Sequence, residues 1–248
     1  MAEKIKLTIA YDGTDFHGFQ VQLAPPVRTV QGVLEEVLGS ICAKEVAVTG
    51  AGRTDSGVHA RAQVVTFETS GKMPAERWSR VLNHRLPRDI VVRQAEVVPE
   101  AFHPRFDARE KVYRYTLETA ALPDVFTRRY YTHLPRTLDV AAMRAAAQHL
   151  IGTHDFTSFS AAQAQVKDRV RHLQSIEICT SGTRIQLWFV GNGFLQYMVR
   201  ILTGTLVAVG AGELSPDAIP HILAARDRRL AGRTMPPEGL TLWEVVYE

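Results

Sequence analysis

Gly50-Ala51-Gly52-Arg53-Thr54-Asp55-Ser56-Gly57-Val58-His59-Ala60 is a glycine-punctuated loop between two short β-patterned stretches. Val46 and Val48 precede it, and Val65 and Phe67 within Gln63 to Glu68 follow it. A doubly wound dinucleotide-binding fold would need G-x-G-x-x-G between a strand and a helix. Here the third glycine position holds Asp55, and a strand follows where the helix should begin. The dinucleotide-binding reading therefore fails twice.

Working outward, Ile5, Leu7, Ile9 and Tyr11 recur at period two, the signature of a strand with one buried face. Thr29 can cap a helix whose apolar stripe is Val30, Val33, Leu34, Val37, Leu38 and Ile41. A second helix follows Pro74, with Trp78, Val81, Leu82 and Leu86 on its buried side, and a strand covers Ile90 to Val98. The order strand, helix, strand, strand, helix, strand is the split pattern of a ferredoxin-like unit.

The second half carries further elements at Lys111 to Glu118, Val140 to Ile151, Val170 to Cys179, Ile185 to Val190, Phe194 to Val209 and Thr241 to Tyr247. Ser215 and Pro216 start an added helix. Gly152 is placed at the end of the first of these helices, Gly210 and Gly212 at the end of the long one. The predicted class is α+β: two fused ferredoxin-like βαββαβ lobes, residues 1–105 and 106–248, with mostly antiparallel sheet and a central cleft.

The 248 residues are 46% hydrophobic, enough for a sizeable core. Cys42 and Cys179 are too few for a disulfide framework and lack zinc-site spacing, which points to a reducing compartment. No apolar leader core and no apolar run of membrane-spanning length occurs, so a cytoplasmic protein is expected. The net charge of +3 permits an anionic partner without demonstrating one. The basic residues cluster: Arg105, Arg109 and Lys111; Arg128 and Arg129; Lys167, Arg169 and Arg171; Arg226, Arg228, Arg229 and Arg233. Any single cluster of this kind is more often a solvated face than a phosphate track.

Neither a P-loop nor H-E-x-x-H is present, and His59 has no partner at metal-ligand spacing. What the loop offers is a carboxylate, Asp55, where glycines permit close approach of a ligand. Arg53 beside it can bind a phosphate bidentately or keep the carboxylate ionised. The plain alternative is an Asx turn at Asp55 with Arg53 in water.

Gly52-Arg53-Thr54-Asp55-Ser56-Gly57-Val58-His59-Ala60 resembles the G-R-T-D-x-G-V-H-A signature of TruA-type tRNA pseudouridine synthases. Tyr11-Asp12-Gly13-Thr14, Gly18-Phe19-Gln20 and Thr29-Val30-Gln31 resemble the family's opening elements. Phe102-His103, Lys111 to Tyr115, Asp155 to Phe159, Met198-Val199-Arg200 and Glu238-Gly239-Leu240 resemble its later ones, so the likeness spans nearly the whole chain. Phe19, Val21 and Pro104 depart from residues common in the family, which bears on entry-loop and RNA contacts.

The resemblance implies two lobes around a basic cleft, a homodimer, and isomerisation of uridines 38, 39 and 40 in the tRNA anticodon arm without metal or cofactor. It implies Asp55 as nucleophile, Arg200 as the arginine pairing with it, and Tyr113 as the tyrosine against the target uridine; Arg53 accompanies Asp55. From the residues alone, Tyr113 reads as a packed core tyrosine beside Tyr115 and Leu117, and Arg200 as a snorkelling arginine of an apolar helix. A noncatalytic RNA-binding protein is the alternative of a different class, and an acidic residue deep among basic ones would be out of place in it.

Overall fold

The protein is described from a computed structural model covering residues 3–22, 25–71, 73–161 and 168–247; Lys167 of the third basic cluster lies outside them. The fold is mixed α+β, with ten strands among the described residues, mostly antiparallel. Two compact units divide it, Met1–Arg109 with Leu242–Glu248, and Glu110–Thr241.

In the first unit, β1 (Glu3–Tyr11), α1 (Val30–Cys42), β2 (Thr49–Gly50), β3 (His59–Thr69), α2 (Ala75–Arg85) and β4 (Ile90–Val98) follow one another. β1 lies between β4 and β3, antiparallel to both. Ile5, Leu7 and Ile9 are fully buried, as the period-two pattern predicts. Ile5 is paired with Phe67, whose ring meets Trp78 of α2 edge-on at 4.9 Å, which identifies the helix-covered face. Thr29 caps α1, its hydroxyl accepting the Gly32 amide at 3.2 Å. The predicted strand at Val46 and Val48 shrinks to the two residues of β2, with both valines buried in the segment leading to it.

The second unit holds β5 (Glu110–Glu118), β6 (Thr132–His133), α3 (Val140–Gln148), β7 (Gly152–Asp155), β8 (Val170–Ser181), β9 (Arg184–Gly191), α4 (Met198–Gly210) and α5 (Ala218–Ala225). Its strands run β5-β9-β8-β7, with β6 pairing β5 in parallel. The long helix does not start at Phe194 as its apolar run implies. Tyr197 takes a left-handed conformation at φ 63°, which interrupts helical hydrogen bonding and sets the start of α4 at Met198. Gly152 opens β7 at φ +107° instead of closing α3, which ends at Gln148.

The last strand, β10 (Leu240–Val246), neighbours β3, and residues from Leu242 onward group with the first unit. The sequence division at 105/106 left this segment with the second lobe. Burying Leu242 and Val245 is what draws the C-terminal strand back across the chain.

Candidate active site

The Asp55 loop is gripped from one side by the segment that leaves β1. The Phe19 amide donates to the Thr54 carbonyl at 3.1 Å, and the Gly57 amide to the Phe16 carbonyl at 3.2 Å. The Ser56 hydroxyl bonds that same carbonyl at 3.2 Å. A Cβ on Gly13 would run into the Val58 carbonyl, so only glycine lets the two segments approach this closely. The turn at Asp55 is closed by its backbone carbonyl, which accepts the Val58 amide at 3.1 Å, with Gly57 at φ +77°. That bond is made by the backbone of residue 55 and not by its side chain.

Two sets of side-chain bonds hold the loop on either side of residue 55 in sequence. On one side the Tyr11 and Thr54 hydroxyls are 2.7 Å apart and buried. Burial pushes the Tyr11 phenol up to about 12, against the opposing effect of its bonds with Thr54 and Gln63, so it stays neutral. Gln63 continues the clamp, donating to the Gly52 carbonyl at 2.8 Å. On the other side His59 Nδ1 accepts the Gly13 amide at 3.0 Å and lies 3.2 Å from Asp12 Oδ1. Asp55 is half-buried, and Arg53 is exposed.

The other two residues named by the sequence sit in the second unit. Tyr113 on β5 is 8% exposed and meets the Phe194 ring edge-on at 5.0 Å. Arg200 lies in the first turn of α4, which packs on β5. Its Nε donates to the Met235 carbonyl at 2.6 Å, and its guanidinium stands 5.1 Å from the Tyr197 ring centroid. The unusual backbone of Tyr197 thus places an aromatic face beside the arginine. Tyr115 is bonded to Thr132 and to the Pro236 carbonyl, the satisfied core role expected of a strand tyrosine.

Sequence reasoning named the loop but missed the Tyr11–Thr54–Gln63 clamp. The available signal was Tyr11-Asp12-Gly13 itself, whose tyrosine ends a buried strand face beside the loop. Among the described residues no group of three or more His, Cys, Asp or Glu is placed to hold a metal ion, and no helix is long and apolar enough to cross a membrane.

A family model described as tRNA pseudouridine synthase matches residues 7–107 and 146–248. A protein of Brevibacillus brevis named tRNA pseudouridine synthase A is 48% identical over 245 residues, covering 99% of this chain and 100% of its own. The Bacillus subtilis protein of the same name is 49% identical, with 99% of each chain covered. That of Halalkalibacterium halodurans is 50% identical, over 96% of this chain and 90% of its own. A chain in the crystal structure of a Cbf5-Nop10-Gar1 complex is only loosely alike, with TM-score 0.36 and 12% identity over 82% of this chain and 45% of that one. On the family match and the full-length relatives, the chain belongs to the tRNA pseudouridine synthase family, a family of isomerases.

Proposed function

We propose that the protein converts uridine to pseudouridine at positions 38, 39 and 40 of the tRNA anticodon arm, with Asp55 as the catalytic carboxylate. The observation that supports this reading is the Gly52–Ala60 loop: Tyr11 holds it from β1, Gln63 and His59 hold it from β3, and Asp55 lies half-buried within it. Preorganisation of this kind suits a group that must meet a reacting atom in one orientation.

The reaction breaks the bond from C1′ to N1, turns the detached base and joins C1′ to C5. C5 loses its proton and N1 gains one, so nothing is consumed. Asp55 supplies an anionic oxygen that adds to C6 of the base or to C1′ of the sugar. Tyr113 offers a ring for the extruded base, and its hydroxyl a route for the C5 proton. Arg200 holds the aspartate in its charged form, and Arg53 holds a neighbouring phosphate.

In this reading each unit is a ferredoxin-like lobe, the protein works as a cytoplasmic homodimer, and no metal or cofactor enters the chemistry. Purified protein with unmodified tRNA transcript, in EDTA and without nucleotide, should produce carbodiimide-dependent reverse-transcription stops at uridines 38 to 40. Stops at other uridines alone would overturn the assigned positions. A transcript left without any would overturn the reaction.

A further inference from the structure

In the first unit, the sheet face opposite the one that packs α2 carries a feature that the reaction does not use. β1 pairs with β3 in regular register up to Ile9 opposite Gln63, and resumes with Tyr11 opposite Ala60. Between them Ala10 alone faces two residues, Arg61 and Ala62. On its other edge β1 pairs Thr8 with Gln94 and Ile9 with Val92, which leaves Arg93 as the extra residue. Two β-bulges therefore flank β1 at the same level, and each delivers an arginine. Bulges of this kind re-aim side chains and occur next to functional sites.

The two arginines, with Thr8, Gln94, Trp243 and Glu244, line an open depression of about 360 Å³. The Arg61 guanidinium lies over the Trp243 ring at 4.2 Å from its centroid. Arg93 donates through one guanidinium nitrogen to the Arg61 carbonyl at 3.1 Å, which ties the two bulges together. Both arginines are exposed, and among the described residues neither forms an ion pair with a carboxylate. A guanidinium stacked on an indole keeps its in-plane N–H donors directed outward, a geometry that matches a phosphate oxygen pair. Two neighbouring cations without an acidic partner repel each other, and an anion between them relieves that cost.

We propose that this bulge-built pocket is a subsite for the phosphodiester backbone of the RNA substrate, with Arg61 and Arg93 each neutralising a phosphate and Trp243 fixing the Arg61 fork. The subsite rests on the proposed function, since the anion it fits is a polynucleotide only if RNA is the substrate. Charge complementarity selects that occupant. Glu244 at the rim opposes it, which gives the test a second sign.

The experiment measures tRNA affinity between 50 and 200 mM salt for the full chain, for Arg61→Gln with Arg93→Gln, for Glu244→Gln, and for a control, Arg77→Gln with Arg80→Gln, which removes the same charge from exposed positions on α2. Losing two phosphate contacts should lower the slope of log affinity against log salt by about 1.4 to 1.8, so the affinity change across that range shrinks by roughly tenfold. The control should keep the wild-type slope, and Glu244→Gln should bind more tightly. A double pocket variant with unchanged slope and unchanged thermal midpoint overturns the subsite. So does a lowered midpoint with unchanged slope, because the arginines would then be structural. Pseudouridine formation by the wild-type chain is scored separately: its absence counts against the proposed reaction, while the slopes alone decide the pocket.

Discussion

Tyr11 reaches Thr54, 43 residues away, only because β1 and β3 pair, so a scan of local sequence cannot show that the phenol supports the residue next to Asp55. Asp55 and Arg53 were legible because they sit inside one contiguous motif, whereas their supports come from a separate strand. Tyr113 reads differently in sequence and structure. Its burial fits the packed-strand reading, yet its ring meets Phe194 in the segment just before the Arg200 helix. Removing the Tyr11 hydroxyl tests whether the clamp serves chemistry. Tyr11→Phe leaves the buried Thr54 hydroxyl short of a partner, at a cost of about 1 kcal/mol, and should lower the thermal midpoint by roughly 2–4 °C. If the clamp orients Asp55, single-turnover conversion should fall by about tenfold or more while tRNA affinity holds. A loss of midpoint with undiminished turnover would make Tyr11 a core residue only.

Most elements were legible where an apolar period was sustained: β1, α1, α2 and β4 lie within a residue or two of their predicted bounds. The short strands β6 and β7 were not, because two to four residues carry no readable period and are fixed by the neighbours they pair with. Nor could an apolar run show that Tyr197 would turn left-handed. The link between α4 and the chain that follows α5 was equally hidden. Arg200 exchanges bonds with Met235, its carbonyl accepting that amide at 3.2 Å, and the Gly232 amide donates to Thr205 at 2.9 Å. A Cβ on Gly204 would strike the Arg233 carbonyl, so glycine sets the spacing at which this segment holds Arg200. Gly204→Ala should overpack the contact by about 1–3 kcal/mol and reduce turnover beyond what lost stability explains. Gly39→Ala in α1, where a new Cβ meets the Lys44 carbonyl at 3.4 Å, should instead keep activity and hold or raise the midpoint. Equal effects of the two substitutions, read by thermal melting and single-turnover assay, would remove the special role of the α4 contact.

For the whole molecule, composition was informative mainly by exclusion. A net charge of +3 hides a distribution in which arginines recur in clusters, and the pair at the β1 bulges belongs to none of those found by scanning the sequence. Arg61 and Arg93 are 32 residues apart, and only the register of β1 with its two neighbours brings them together. An RNA-modifying enzyme that handles several neighbouring uridines needs shape and backbone contacts more than base readout, and the proposed arginine subsite is of that kind. The carboxylate at the centre of the account is tested by Asp55→Asn, which keeps the size of the side chain and the backbone bond of the turn but removes the charge. Single-turnover pseudouridine formation on unmodified tRNA should fall by at least about 10³-fold, equivalent to roughly 4 kcal/mol of transition-state stabilisation, with tRNA affinity and thermal midpoint near wild type. Turnover close to wild type in that folded, tRNA-binding variant would contradict the assignment of Asp55 as the catalytic residue.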